Sequence, residues 1–169
     1  METAISRSGS VLIRLAVALS LAGPAVARPA AKPPAAPVRV RLQTSIGPIV
    51  IALETKRAPI TTRNFLRYVD ERRFDNTSFY RAARNRHAPK FGLVQGGIDR
   101  NARLTFGVIA HEPTSLTGIK HVNGTVSMAR NAPGTAMGDF FITVGPASYL
   151  DARPGYVGYA AFGKVVSGM

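Results

Sequence analysis

The chain of 169 residues contains no cysteine. That removes disulfides, thiolate nucleophiles and thiolate metal ligands from consideration. Acidic residues are scarce as well, 9 Asp+Glu against 22 Lys+Arg, for a formal net charge of +13. So few carboxylates leave little for paired acid/base chemistry; Glu112, Asp139 and Asp151 are the candidates, with nothing to join them as a glycosidase pair. The three histidines, His87, His111 and His121, lack the i,i+4 spacing of a helical metal site and read as loop or surface residues. There is no phosphate-binding P-loop, no G-x-G-x-x-G at a strand–helix junction and no G-x-S-x-G elbow. Ser127-Met128-Ala129-Arg130 imitates the S-x-x-K of serine acylases, but Arg130 stays protonated and cannot serve as a base. What remains is chemistry without a covalent intermediate, a metal or a cofactor.

Long apolar runs are missing too. LAVALSLAG, residues 15–23, is too short to cross a bilayer as a helix. Arg7 and Arg14 precede it, and Ala25-Val26-Ala27 follows it with small residues where a signal peptidase reads. Residues 1–27 therefore read as a secretory leader cleaved after Ala27, the alternative being an uncleaved anchor. Residues 28–37, RPAAKPPAAP, form an Ala/Pro-rich tether. The folded domain spans 38–169, and the leader places it in the periplasm or outside the cell. The basic residues are dispersed, which favours a solvated surface, or attraction to anionic envelope components, over a nucleic-acid grip.

Residues 38–43 alternate apolar and polar, as a half-buried strand does, and 48–53 return as a more buried one after a Ser45-Ile46-Gly47 turn. Pro59 suits a first helical turn, and Phe65, Leu66, Tyr68 and Val69 share a face opposite Arg63, Arg67 and Asp70, so a helix runs from there to about Arg72. Strands follow at 78–80, 93–97, 125–129, 140–144 and 159–166, with a small-residue loop at 130–138. Many short strands and one clear helix imply a closed or nearly closed β-barrel with a helix over one end.

Six segments, in order, carry more information than any one of them. They are Phe79-Tyr80-Arg81, Val94-Gln95-Gly96-Gly97, the run from Gly124 to Arg130, Phe140-Phe141-Ile142, Tyr149-Leu150-Asp151 and Phe162-Gly163-Lys164-Val165. In this order and spacing the chain resembles the cyclophilin-type peptidyl-prolyl isomerases, in particular short exported bacterial members. The resemblance covers Val38 to the C-terminus. It implies a mainly β fold, an eight-stranded antiparallel barrel capped by helices, with a substrate groove on its outer face. It also implies rotation about X–Pro bonds, assisting the folding of exported proteins. By the same resemblance Arg81 is the catalytic arginine and Gln95 the glutamine that supports it and holds the substrate backbone. Phe141 floors the proline pocket, Leu93 replaces a pocket methionine, and Leu150 matches a pocket leucine. Ala129 and Arg130 fall where backbone pairs with an extended peptide. Phe79 and Tyr80 read as core and groove-wall packing. The implied partners are proline-containing polypeptides, bound by a monomer with no nucleic acid and no stable membrane insertion once the leader is removed.

The chain departs from the family pattern in several places. Tyr149 stands where many members have tryptophan, and Tyr159 where many have histidine. Asp139 replaces a glutamine and could pair with Arg81 or another arginine. Residues 84–90 look like a basic insertion. Gly92 occupies the place of a second pocket aromatic, which Phe91 fills if the loop returns it to the groove. After Val166 the family's last helix and last strand are expected and do not follow, so a C-terminally truncated barrel with an open edge at the first strand is anticipated. Two other functions fit the same residues: a proline-peptide-binding or chaperone-like module without turnover, and a basic barrel that binds polyanions.

Overall fold

A computed structural model describes residues 36–84, 86–88 and 90–169. The expected leader at 1–27 and all but the last two residues of the expected tether at 28–37 lie outside the described residues.

The first two strands show how the alternation works out. In β1 (Arg39–Thr44) Val40 is buried and Leu42 half-buried, while Arg39, Arg41 and Gln43 face solvent. β2 (Gly47–Leu53) returns antiparallel, with Thr44 opposite Gly47. The turn between them is held by the Thr44 hydroxyl, which donates to the Gly47 carbonyl at 2.6 Å. Gly47 has φ +130°, a conformation glycine reaches without strain. On the face shared with Val40, β2 carries Ile51 and Leu53, both buried, and its other edge pairs with β7 (Ala161–Ser167).

α1 (Pro59–Asp70) begins with proline, as the sequence predicts, but Ala58 provides no side-chain cap. The cap comes from far away. Buried Glu112 accepts the N–H of Ile60 at 3.1 Å, the N–H of Thr61 at 2.8 Å and the Thr61 hydroxyl at 2.6 Å. A carboxylate here satisfies orphan donors and suits the positive end of the helix dipole. The inward face presents Phe65 and Tyr68. Phe65 meets Phe74, Phe140 and Phe162 at ring separations of 5.3, 5.3 and 5.1 Å.

The remaining strands are β3 (Ser78–Arg84), β4 (Gly92–Gly97), β5 (Thr125–Met128) and β6 (Phe140–Val144), with a one-turn α2 (Thr114–Thr117) and a 3-10 turn at Ser148–Leu150. One sheet results, in the order β1-β2-β7-β5-β6-β4-β3, antiparallel throughout. Among the described residues seven strands curl into an open half-barrel. Among the described residues β1 and β3 each pair on one side only, and between them opens an interior cleft of about 900 Å³ lined by Leu42, Val69, Phe74, Phe79 and Phe140. Phe79 belongs to this interior side, its ring 6.0 Å from that of Phe140.

Two expectations change. β3 runs to Arg84, which pairs with Gly92, so Arg84 belongs to the strand and not to an inserted loop. β3 also carries an irregularity. Ser78 faces Gly97 and Arg81 faces Gln95, three steps on one strand against two on the other. An extra residue breaks strict alternation and turns neighbouring side chains toward one face. Both Tyr80 and Arg81 therefore reach the outer cleft.

Candidate active site

The sheet register builds the site as one continuous row. Arg81 lies opposite Gln95, Gln95 opposite Phe141, and Phe141 opposite Ser127. Directly opposed residues in a sheet share a face, so these four side chains line up across β3, β4, β6 and β5 on the outer surface. The row starts exposed at Arg81 and ends fully covered at Ser127.

At the exposed end the polar groups are linked in sequence. Arg81 Nη1 donates to Gln95 Oε1 at 2.9 Å, and Gln95 Nε2 donates to the Tyr80 hydroxyl at 2.7 Å. The second bond fixes which end of the amide faces the guanidinium. Burial pushes the Tyr80 phenol above its usual pKa; the bond from Gln95 pulls it back, and the nearby Asp139 carboxylate pushes it up again. Tyr80, read from sequence as a packing residue, therefore orients the glutamine.

At the covered end Phe141 is 3% exposed and packs with Ala147 and Leu150, flanked by Leu93, Ala129 and Tyr159. Tyr159 meets Phe141 edge-on at 5.5 Å, and His121 stacks on its other side at 6.1 Å. His121 is buried, contrary to its reading as a loop or surface histidine. Its Nδ1 lies 2.7 Å from Asp151 Oδ1 and its Nε2 2.9 Å from the Ser127 hydroxyl. Burial lowers its pKa, with Asp151 acting against that; a ring that donates from Nδ1 to the Asp151 carboxylate has Nε2 placed to accept from the Ser127 hydroxyl. The arrangement repeats the connectivity of a hydrolase triad, but Ser127 has no exposed surface to offer a substrate. It ties the turn carrying Leu150 to the strand beneath Phe141.

Between the two ends lies a cleft of about 540 Å³. Of the residues expected there, Arg81, Gln95, Phe141, Leu93, Ala129, Arg130, Tyr149, Leu150, Tyr159 and Asp139 all line it. Tyr149 is 46% exposed and stands as an outer wall. Arg130 lays its guanidinium over the Tyr159 ring at 4.6 Å and donates from Nη2 to the Gly158 carbonyl at 2.5 Å. The Ala129 N–H already donates to the Asp139 carbonyl at 2.9 Å, so it is not a free donor for a peptide.

Phe91 does not line the cleft. It covers Gly145, where a Cβ would overlap its ring, beyond the Leu93 end of the strand. Nor could Gly92 carry an aromatic in this backbone, because a Cβ there would overlap the Ala83 carbonyl oxygen. The walls are instead leucine and tyrosine. Asp139 does not pair with Arg81. Its two oxygens accept the N–H groups of Asp99 at 2.8 Å and Arg100 at 3.2 Å.

Comparison with known proteins agrees with this geometry. Residues 39–169 match the family model described as cyclophilin type peptidyl-prolyl cis-trans isomerase/CLD. A peptidyl-prolyl cis-trans isomerase of Acinetobacter baylyi is 34% identical over 131 residues, covering 77% of this chain and 67% of its own length. Peptidyl-prolyl cis-trans isomerase A of Dickeya dadantii is 37% identical over 134 residues, covering 77% and 66%. The chain thus spans about two thirds of the length of these relatives. A Cryptosporidium parvum cyclophilin-type isomerase, crystallised in the presence of the dipeptide Ala-Pro, superimposes with a TM-score of 0.61, covering 78% of this chain and 80% of that one. At 24% identity that likeness speaks for the fold alone. The ordered motifs, the sheet and the match across the whole folded region make this chain a member of the cyclophilin-type peptidyl-prolyl cis-trans isomerase family.

Proposed function

We propose that this chain catalyses rotation about X–Pro peptide bonds in polypeptides exported from the cell, and that Arg81 is its catalytic residue. The observation that carries this is the single row of Arg81, Gln95 and Phe141, a held cation beside an apolar floor. Rotation about a peptide bond meets a barrier of about 18–20 kcal/mol because it breaks amide resonance. No bond forms or breaks, so neither nucleophile nor metal is required. In the twisted amide the proline nitrogen regains its lone pair, and a donor aimed at that nitrogen stabilises the transition state more than the ground state. Arginine suits this role: it never deprotonates, and its N–H groups lie in a fixed plane. Gln95 engages one guanidinium edge and leaves other N–H groups to face the substrate. The apolar floor of Phe141, Leu93 and Leu150 receives the proline ring.

Arg81→Ala should lower kcat/KM on an Ala-Pro peptide by about a hundredfold or more, as losing one transition-state donor does. Exchange NMR measures this without a coupling protease. Two proteins equally inactive but still binding prolyl peptides would instead identify a binding module.

The export site, periplasm or exterior, belongs to the same proposal and is supported by the leader-like sequence at 1–27; a monomeric state is proposed with it. Cells expressing the full chain should yield a form beginning at Arg28; a retained leader on the exported form would refute this. Sedimentation of that form tests the monomer.

A further inference from the structure

Among the described residues, four arginines and one carboxylate line the cleft. Besides Arg81, it is lined by Arg84, Arg100 and Arg130. One carboxylate lines it, that of Asp139, and its two oxygens are taken by the backbone N–H groups of Asp99 and Arg100. The ion pairs among the described residues involve Glu54, Glu71 and Asp151, and none includes a cleft arginine. Arg81 has one edge engaged by Gln95 and is assigned to the proline nitrogen, and Arg130 is held by Tyr159 and Gly158. Arg84 and Arg100 are exposed, and neither guanidinium has a hydrogen-bond partner among the described residues.

Arg100 is the more firmly placed of the two. It and Asp99 both have positive φ, +57° and +47°, an uncommon backbone for such residues. Successive N–H groups in such a turn form a concave nest that holds an anion, and here the anion is the Asp139 side chain. The chain's own carboxylate is thereby held by backbone donors, while the arginine side chain it anchors stays at the cleft.

We propose that the cleft selects prolyl peptides carrying an acidic side chain close to the proline, and that Arg100 is the residue that reads it. This rests on the cleft being the prolyl-peptide site. Glutamate and glutamine have nearly the same shape, so a Glu/Gln peptide pair isolates the charge. Exposed ion pairs are weak and screened, so the expected preference is about threefold at low salt and close to none at ~1 M.

The test uses blocked Ala-Pro peptides with Glu or Gln placed in turn at each position flanking the Ala-Pro unit. Chemical-shift titration gives Kd, and exchange NMR gives kcat/KM. The expected result is a Glu preference at one position that falls to about one in Arg100→Gln. It should persist in Arg63→Gln, which removes an equal charge from the exposed face of α1. Equal handling of Glu and Gln at every position, an unchanged ratio in Arg100→Gln, or equal loss in Arg63→Gln would each overturn the proposal. If titration shows the preference but no peptide is turned over, the isomerase reading fails and the charge selection stands.

Discussion

At the scale of single residues, the site depends on how one amide is held. Gln95 can support Arg81 only with its oxygen facing the guanidinium, and the Tyr80 hydroxyl sets that orientation by accepting the Gln95 Nε2–H. Tyr80→Phe keeps the ring and removes the acceptor. A single hydrogen bond of this kind is worth about 0.5–1.5 kcal/mol, so kcat/KM should fall about three- to tenfold. Gln95→Ala in the Tyr80→Phe background should then cost less than it does alone, and strict additivity in exchange NMR would show that the tyrosine acts otherwise. Arg81, Gln95 and Phe141 were legible in the sequence because each sits inside a short motif with its neighbours. The place of Asp139 at the cleft was legible too, but not its partners, which are two backbone N–H groups of a turn that side-chain identities do not announce. Phe91 was misplaced for a related reason. Which side of a strand end an aromatic covers depends on what lies across from it, and here that is Gly145.

At the scale of elements, strand alternation and the helix start were readable, while the devices that modify them were not. Alternation puts Tyr80 and Arg81 on opposite faces; the irregularity in the β3–β4 register puts both at the cleft, and nothing in Ser78-Phe79-Tyr80-Arg81 marks it. Pro59 marks the start of α1, yet the residue that caps it is Glu112, brought in by the fold from a loop read only as a possible acid. Glu112→Ala should strip three donors of a partner in a buried place. Losing a cap and charge-assisted bonds together costs about 2–4 kcal/mol, which should appear as a lower urea midpoint with an unchanged m-value. A loss below about 1 kcal/mol would mean that solvent replaces the carboxylate. Glu112→Gln should recover part of the loss, since its carbonyl still accepts one of the two N–H groups.

At the scale of the whole molecule, the sheet is a ribbon with two margins. Among the described residues β2, β7, β5, β6 and β4 are paired on both sides, and β1 and β3 on one. The strand content was legible in the sequence, because a run of alternating strands and turns declares itself, whereas the open margin at β1 was expected only from the family resemblance. The strand order, which makes β3 the other margin, comes from the long-range pairing of β4 with β6 and β5 with β7. The margin at β3 is also where Arg81 is found. Strand ends and edges open with smaller free energies than the centre of a sheet, and β3 is fastened to β4 alone, with an interrupted register. On heating, the arginine should therefore leave its station while Phe141 and Ser127, two and three strands further in, are still in place. Turnover should fade several degrees below the main calorimetric transition, and return on cooling without a refolding lag. Coincident loss of activity and of heat-absorbing structure would show instead that the margin and the centre melt as one. By that expectation, warmth switches the enzyme off before it denatures it.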